Sequence, residues 1–154
     1  MPEFRAVSIV GEIVVDGTTI ALARSSSVQD NGMINAALSL NPGLCIVLND
    51  AACALPDHMI LVLIGHELGH YFEGHRDHYY YGRHVADEIA ADKYSVRYAG
   101  LAATRQLLNT MRKCCIKRGL PTVEADARLA ALPKCPKATQ KCIPNRRKRR
   151  KKKK

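Results

Sequence analysis

No stretch of this chain is apolar for long enough to cross a bilayer. The longest strictly apolar run, Met59 to Ile64, holds six residues, against the roughly 18 that a spanning helix needs. No membrane span is expected. The first twelve residues, MPEFRAVSIVGE, lack the charged segment and long apolar stretch of a secretory signal. The expectation is therefore an intracellular, soluble protein, cytoplasmic or nuclear. In such a compartment the six cysteines are expected as reduced thiols rather than bridges. They also lack metal-site spacing: Cys114 and Cys115 are adjacent, and Cys135 and Cys142 lie seven apart. Internal repeats are missing as well.

The body of the chain lacks an excess of charge, although the whole carries a formal +10. The last nine residues, Arg146 to Lys154, are all Lys or Arg; without them 24 − 9 = 15 basic residues face 14 acidic ones. Basicity is a property of the tail. From Pro133 onward the chain is rich in Pro and Lys and has no apolar face, so residues 133–154 are expected to be a disordered tail. Residues 1–132 are expected to form one domain, since 154 residues suffice for one real core and not comfortably for two. The run 146–154 would contact nucleic acid without sequence preference and with steep salt dependence, or serve as an import signal, or simply be solvated.

Residues 6–23 read as two β-rich runs around Asp16-Gly17, a strong hairpin signal. A second pair of runs flanks Asn41-Pro42-Gly43, with a strand over Leu44 to Asn49. Helices are expected from about Pro56 to Phe72, His84 to Ala99, 102 to 118 and 122 to 132. The stretch 73–83, with two glycines and no periodicity, reads as a loop. The fold class is α+β: a small antiparallel or mixed sheet from the N-terminal half, packed on a helical C-terminal half.

The first of those helices raises the functional question. Met59 to Ile64 is apolar on all sides, which predicts a buried helix, yet His66, Glu67 and His70 follow at once. Isolated polar groups in such a place cost several kcal/mol (roughly 2–7) unless they are paired or metal-bound. Residues four apart on a helix are separated by about 40° around the axis and about 6 Å along it. His66 and His70 thus project together and can grip one ion, while Glu67, one position on, reaches a water on that ion. This is the HExxH arrangement of two imidazole ligands and a general base. Downstream, Glu88 and Asp92 repeat the four-residue spacing in DEIAADKYS. Glu88 completes a His, His, Glu set, and Asp92 is placed to accept a ligand histidine's ring N–H. His75 invites the longer motif HExxHxxGxxH, but the positions for its Gly and last His hold Glu73 and Arg76.

His66-Glu67-Leu68-Gly69-His70 followed by Glu88-Ile89-Ala90-Ala91-Asp92 resembles the gluzincin zinc peptidases. Within them it is most similar to the small soluble minigluzincins and the peptidase domain of the CAAX-type membrane endopeptidases, whose E-x-x-A-D form it shares. The resemblance spans about residues 44–100. It implies a zincin-like fold, one Zn²⁺ per chain held by His66, His70 and Glu88, Glu67 as general base, and Asp92 behind the first histidine. It also implies that the strand before the active-site helix, here Leu44 to Asn49, is the edge on which an extended peptide or protein substrate lies. The expected activity is zinc-dependent endopeptidase hydrolysis. The reading from another class is a non-catalytic, metal-stabilised domain that binds nucleic acid through its tail. Candidates to stabilise the oxyanion or line the cleft are Tyr79, Tyr80, Tyr81, His84, Tyr98 and Arg128.

Overall fold

Asp16 and Gly17 both take positive φ, 49° and 79°, so the chain reverses within two residues and its flanks pair as a hairpin. The computed structural model describes residues 7–26, 33–39, 43–75 and 84–134. Strands β1 (Val7–Val15) and β2 (Thr18–Ser25) run antiparallel in the register Ile13↔Ile20, with an irregularity between Ile9 and Gly11. Strands β3 (Ala36–Ser39) and β4 (Cys45–Leu48) form a second antiparallel pair, Ala37↔Val47. The turn expected at Asn41-Pro42 lies outside the described residues, as do residues 135–154 with the basic run and its expected partners.

The two hairpins join through β2 and β4, which run parallel with Leu22 opposite Ile46. The sheet is therefore mixed, in the order β1-β2-β4-β3. This corrects one expectation. The strand before the HELGH helix, β4, has neighbours on both sides and is not an edge; among the described residues the edge on this side of the sheet is β3. Burial of Ile46, Val47 and Leu48 is what an interior strand requires.

Five helices are described: α1 (Asp50–Cys53), α2 (Asp57–Phe72), α3 (Val85–Ala99), α4 (Leu101–Lys117) and α5 (Val123–Ala131). None of them is long and apolar enough to cross a membrane. The single turn α1, not expected from periodicity, is capped by Asn49, whose Oδ1 accepts the Ala52 N–H at 2.8 Å. The same oxygen accepts the Asn35 N–H at 3.1 Å, and the Asn49 amide N–H donates to the Asn35 carbonyl at 3.1 Å. One buried side chain thus ties the approach to β3 to the start of the helical half.

The core lies between sheet and helices, with Ile20, Ile46 and Leu48 from the strands packed on Met59, Val62, Leu63, Ile64 and Leu68 of α2 and Leu107 of α4. Leu61 departs from the all-round burial expected of α2 and is 39% exposed. Helix α3 packs on α2, and small residues of both helices set the distance. An added Cβ on Gly69 would meet the Ala91 backbone at 2.7 Å, and one on Gly65 the Ser95 Cα at 3.0 Å. Ser95, fully buried, donates its hydroxyl to the Val62 carbonyl at 2.9 Å. Two glycines one turn apart, against Ala91 and Ser95 also one turn apart, let the backbones touch. That contact places Glu88 and Asp92 within reach of the histidines.

Candidate metal centre

Five buried polar or charged side chains from three helices meet where α2 and α3 pack. His66 and His70 come from α2, Glu88 and Asp92 from α3, and Arg128 from α5, all 9% exposed or less. Glu67 is half-buried and lines a cavity with His66, Glu88, Asp92 and Arg128, together with Ile34, Asn35 and Ala36 at the approach to β3.

Three of these side chains aim one atom each at a common point. His66 Nε2 lies 3.0 Å from His70 Nε2 and 3.0 Å from Glu88 Oε2, and His70 Nε2 lies 3.6 Å from Glu88 Oε1. Ligands at about 2.0–2.1 Å around a tetrahedral zinc stand about 3.3 Å apart, which these separations bracket. The donor set, two imidazoles and a carboxylate with no thiolate, suits zinc in an open, three-protein-ligand site. His66, His70 and Glu88 are the group found, among the described residues, that could hold a metal ion. His75, the alternative third histidine, stands outside it.

The far side of His66 is held as firmly as the near side. Its Nδ1 is 3.0 Å from Asp92 Oδ1. A carboxylate only accepts, so this contact puts a proton on Nδ1, and the nitrogen that would have to give up its proton to bind a metal is Nε2, which faces the cluster. Arg128 grips Asp92 with two bonds, Nε to Oδ2 and Nη2 to Oδ1, each 2.8 Å. Its Nη2 lies 3.3 Å from His66 Nδ1 because both donate to the same oxygen. Its Nη1 stands 3.2 Å from Glu88 Oε2 and 3.4 Å from Glu124 Oε1. Arg128 was a cleft candidate by sequence; it does line the cavity, and its nitrogens are directed to three carboxylates. What it does there is orient Asp92 and Glu88, a role the sequence did not disclose.

The charges follow from this packing. Burial works to lower the proton affinity of His66, but the hydrogen bonds to Asp92 and Glu88 together outweigh it and push its pKa up to about 9. Burial likewise acts to raise the Asp92 carboxyl, and the Arg128 guanidinium with His66 overrides it, holding the group below its ordinary value.

The remaining candidates fall elsewhere. His84 is the exposed residue before α3, and its carbonyl accepts the Asp87 and Glu88 N–H groups at 3.0 and 3.2 Å. It caps the helix and is not among the residues lining the cavity. Tyr98 donates to Asp16 Oδ2 at 3.3 Å, fastening the C-terminal part of α3 to the β1–β2 turn rather than facing the cluster. Tyr79, Tyr80 and Tyr81, with Arg76 and His78, lie outside the described residues. Compared with protein families, with curated proteins and with solved structures, the chain finds no match in any of the three.

Proposed function

We propose that this protein is a single-zinc endopeptidase, with His66, His70 and Glu88 as ligands and Glu67 as general base. The observation that carries the reading is the convergence of His66, His70 and Glu88 at separations close to those of tetrahedral ligands, with Glu67 lining the cavity that His66 and Glu88 also line. A purely structural zinc site takes a fourth protein ligand and has no use for a base. The motifs HELGH and EIAAD add the resemblance to gluzincin peptidases described above.

A zinc ion held here would supply Lewis acidity and a water of pKa near 7, according to the general behaviour of such sites. Glu67 takes the proton of the attacking water and delivers it to the leaving amine. Asp92, fixed by Arg128, keeps His66 in the tautomer that presents Nε2. Glu88 brings charge to the donor set, so the trio is −1 with both imidazoles neutral. The extended substrate is assigned to the edge of β3: Asn35 and Ala36 line the cavity, and among the described residues β3 pairs with β4 alone. Backbone pairing there would pass a peptide in front of the metal.

The test is native mass spectrometry of the protein with and without zinc, followed by cleavage of an unstructured protein such as casein. One zinc per chain and cleavage abolished by a chelator and restored by zinc are expected. A protein that takes up no zinc, or whose cleavage a chelator leaves intact, would overturn the reading.

A further inference from the structure

Asp92 stands behind His66, and the way α2 ends brings His75 behind His70. Helix α2 closes in a Schellman motif: the His75 N–H donates to the His70 carbonyl at 2.9 Å, and the Gly74 N–H to the Tyr71 carbonyl at 3.3 Å. The motif needs a residue with positive φ, and Gly74 provides it at 73°. Its geometry brings the residue after the glycine back over the helix, where an apolar pair ordinarily meets. Here the pair is His75 on His70, with the two Nδ1 atoms 3.1 Å apart and the rings edge to face. The other nitrogen of His75, Nε2, lies 3.4 Å from Asp87 Oδ1 in the first turn of α3.

We propose that His75 and Asp87 form a positioning pair that sets the tautomer of His70 for metal binding. Asp87 accepts only, so it favours a proton on His75 Nε2 and leaves His75 Nδ1 as an acceptor. His75 Nδ1 then accepts a hydrogen bond from the His70 Nδ1–H, and the His70 Nε2 lone pair is left to face His66 and Glu88. Both ligand histidines are thereby polarised from behind, His66 by Asp92 directly and His70 by Asp87 through His75. This inference rests on the metal reading of the cluster. It assigns a role to the third histidine of HELGHYFEGH that is neither ligand nor loop ornament.

The experiment is zinc affinity by competition with a chromogenic chelator, with thermal unfolding recorded for each metal-free variant. His75→Leu restores the apolar contact usual to this motif, so the fold should hold, while zinc affinity falls roughly 10- to 100-fold, as is typical when an outer-shell partner is lost. His75→Gln, whose amide can accept from His70 and donate toward Asp87, should keep affinity within a few-fold of wild type. In the zinc-loaded wild type, nitrogen NMR of the His70 ring should show a protonated Nδ1. If wild type binds zinc and His75→Leu binds it equally well, the proposal is wrong and the metal reading stands. A wild type that binds no zinc removes both.

Discussion

Replacing Gly69 by alanine adds one methyl group where two helices touch by backbone. The new Cβ would lie 2.7 Å from both the Cα and the carbonyl oxygen of Ala91 and 3.1 Å from its carbonyl carbon, whereas ordinary contact begins at 3.4 Å. No rotamer change relieves the clash, because the opposing atoms are main chain. α2 and α3 must separate by about 0.7 Å at the crossing, an overpacking that costs roughly 3 kcal/mol or slightly more. Alanine returns up to about 1 kcal/mol of helix propensity. The net loss is about 2 kcal/mol, or roughly 5–10 °C in the melting temperature of a domain this size. Because Ala91 sits one turn beyond Glu88, the same separation draws the third ligand atom off its 3.0 and 3.6 Å positions. Zinc affinity should fall along with stability. The assay is thermal unfolding of the metal-free protein by circular dichroism, paired with chelator competition for zinc. Gly65→Ala is the internal control: its nearest contact is 3.0 Å, so the loss should be smaller. A Gly69→Ala protein as stable as wild type, or less damaged than Gly65→Ala, would refute the close-crossing account.

Four further outcomes follow from the site. Glu88→Ala should weaken zinc by more than the roughly 100-fold upper range for an outer-shell residue; retention of full zinc content would reject Glu88 as a ligand. Arg128→Ala leaves Asp92 buried without its cation, and breaking a buried pair costs about 3–5 kcal/mol; chemical denaturation showing under 1 kcal/mol would remove Arg128 from its clamping role. Metal uptake should release a proton, since His66, pushed up to about 9, is charged at neutral pH in the metal-free protein. Calorimetry at pH 7 in buffers of different ionisation enthalpy should show that release, and zinc affinity should rise with pH toward 9. The metal-free fold should move the opposite way. A raised folded-state pKa gives stability that is complete below about 6.5 and lost as pH passes through about 9. A metal-free melting temperature that rises over that window would contradict the assignment.

Much of the site was legible because helical spacing is local. HELGH and EIAAD each put two side chains on one face, and a buried approach to the first required partners for them. Less of the sheet was legible, since strand neighbours are chosen by tertiary packing. Nothing within Thr18–Ser25 says that it will lie parallel to Cys45–Leu48. The unbroken apolar run Cys-Ile-Val-Leu did carry the signal of an interior strand, and it argues against the edge role that the family resemblance suggested. Arg128 and His75 illustrate a different limit. Each touches side chains of the His66, His70, Glu88 and Asp92 cluster from another element or turn, and such contacts leave no spacing rule in the chain. Gly74 is the one local hint for His75, because a glycine after the last helical turn implies that the next residue folds back.

The central claim is that Glu67 is a base beside a metal and not a ligand or a structural acid. Glu67→Gln isolates it: the amide keeps the size and loses the proton-accepting carboxylate. Cleavage of casein should be compared between wild type and Glu67→Gln at equal, measured zinc content. Zinc at one per chain in both proteins, with cleavage lost in Glu67→Gln, is the predicted result. Equal cleavage by the two, or loss of zinc from Glu67→Gln, would contradict it.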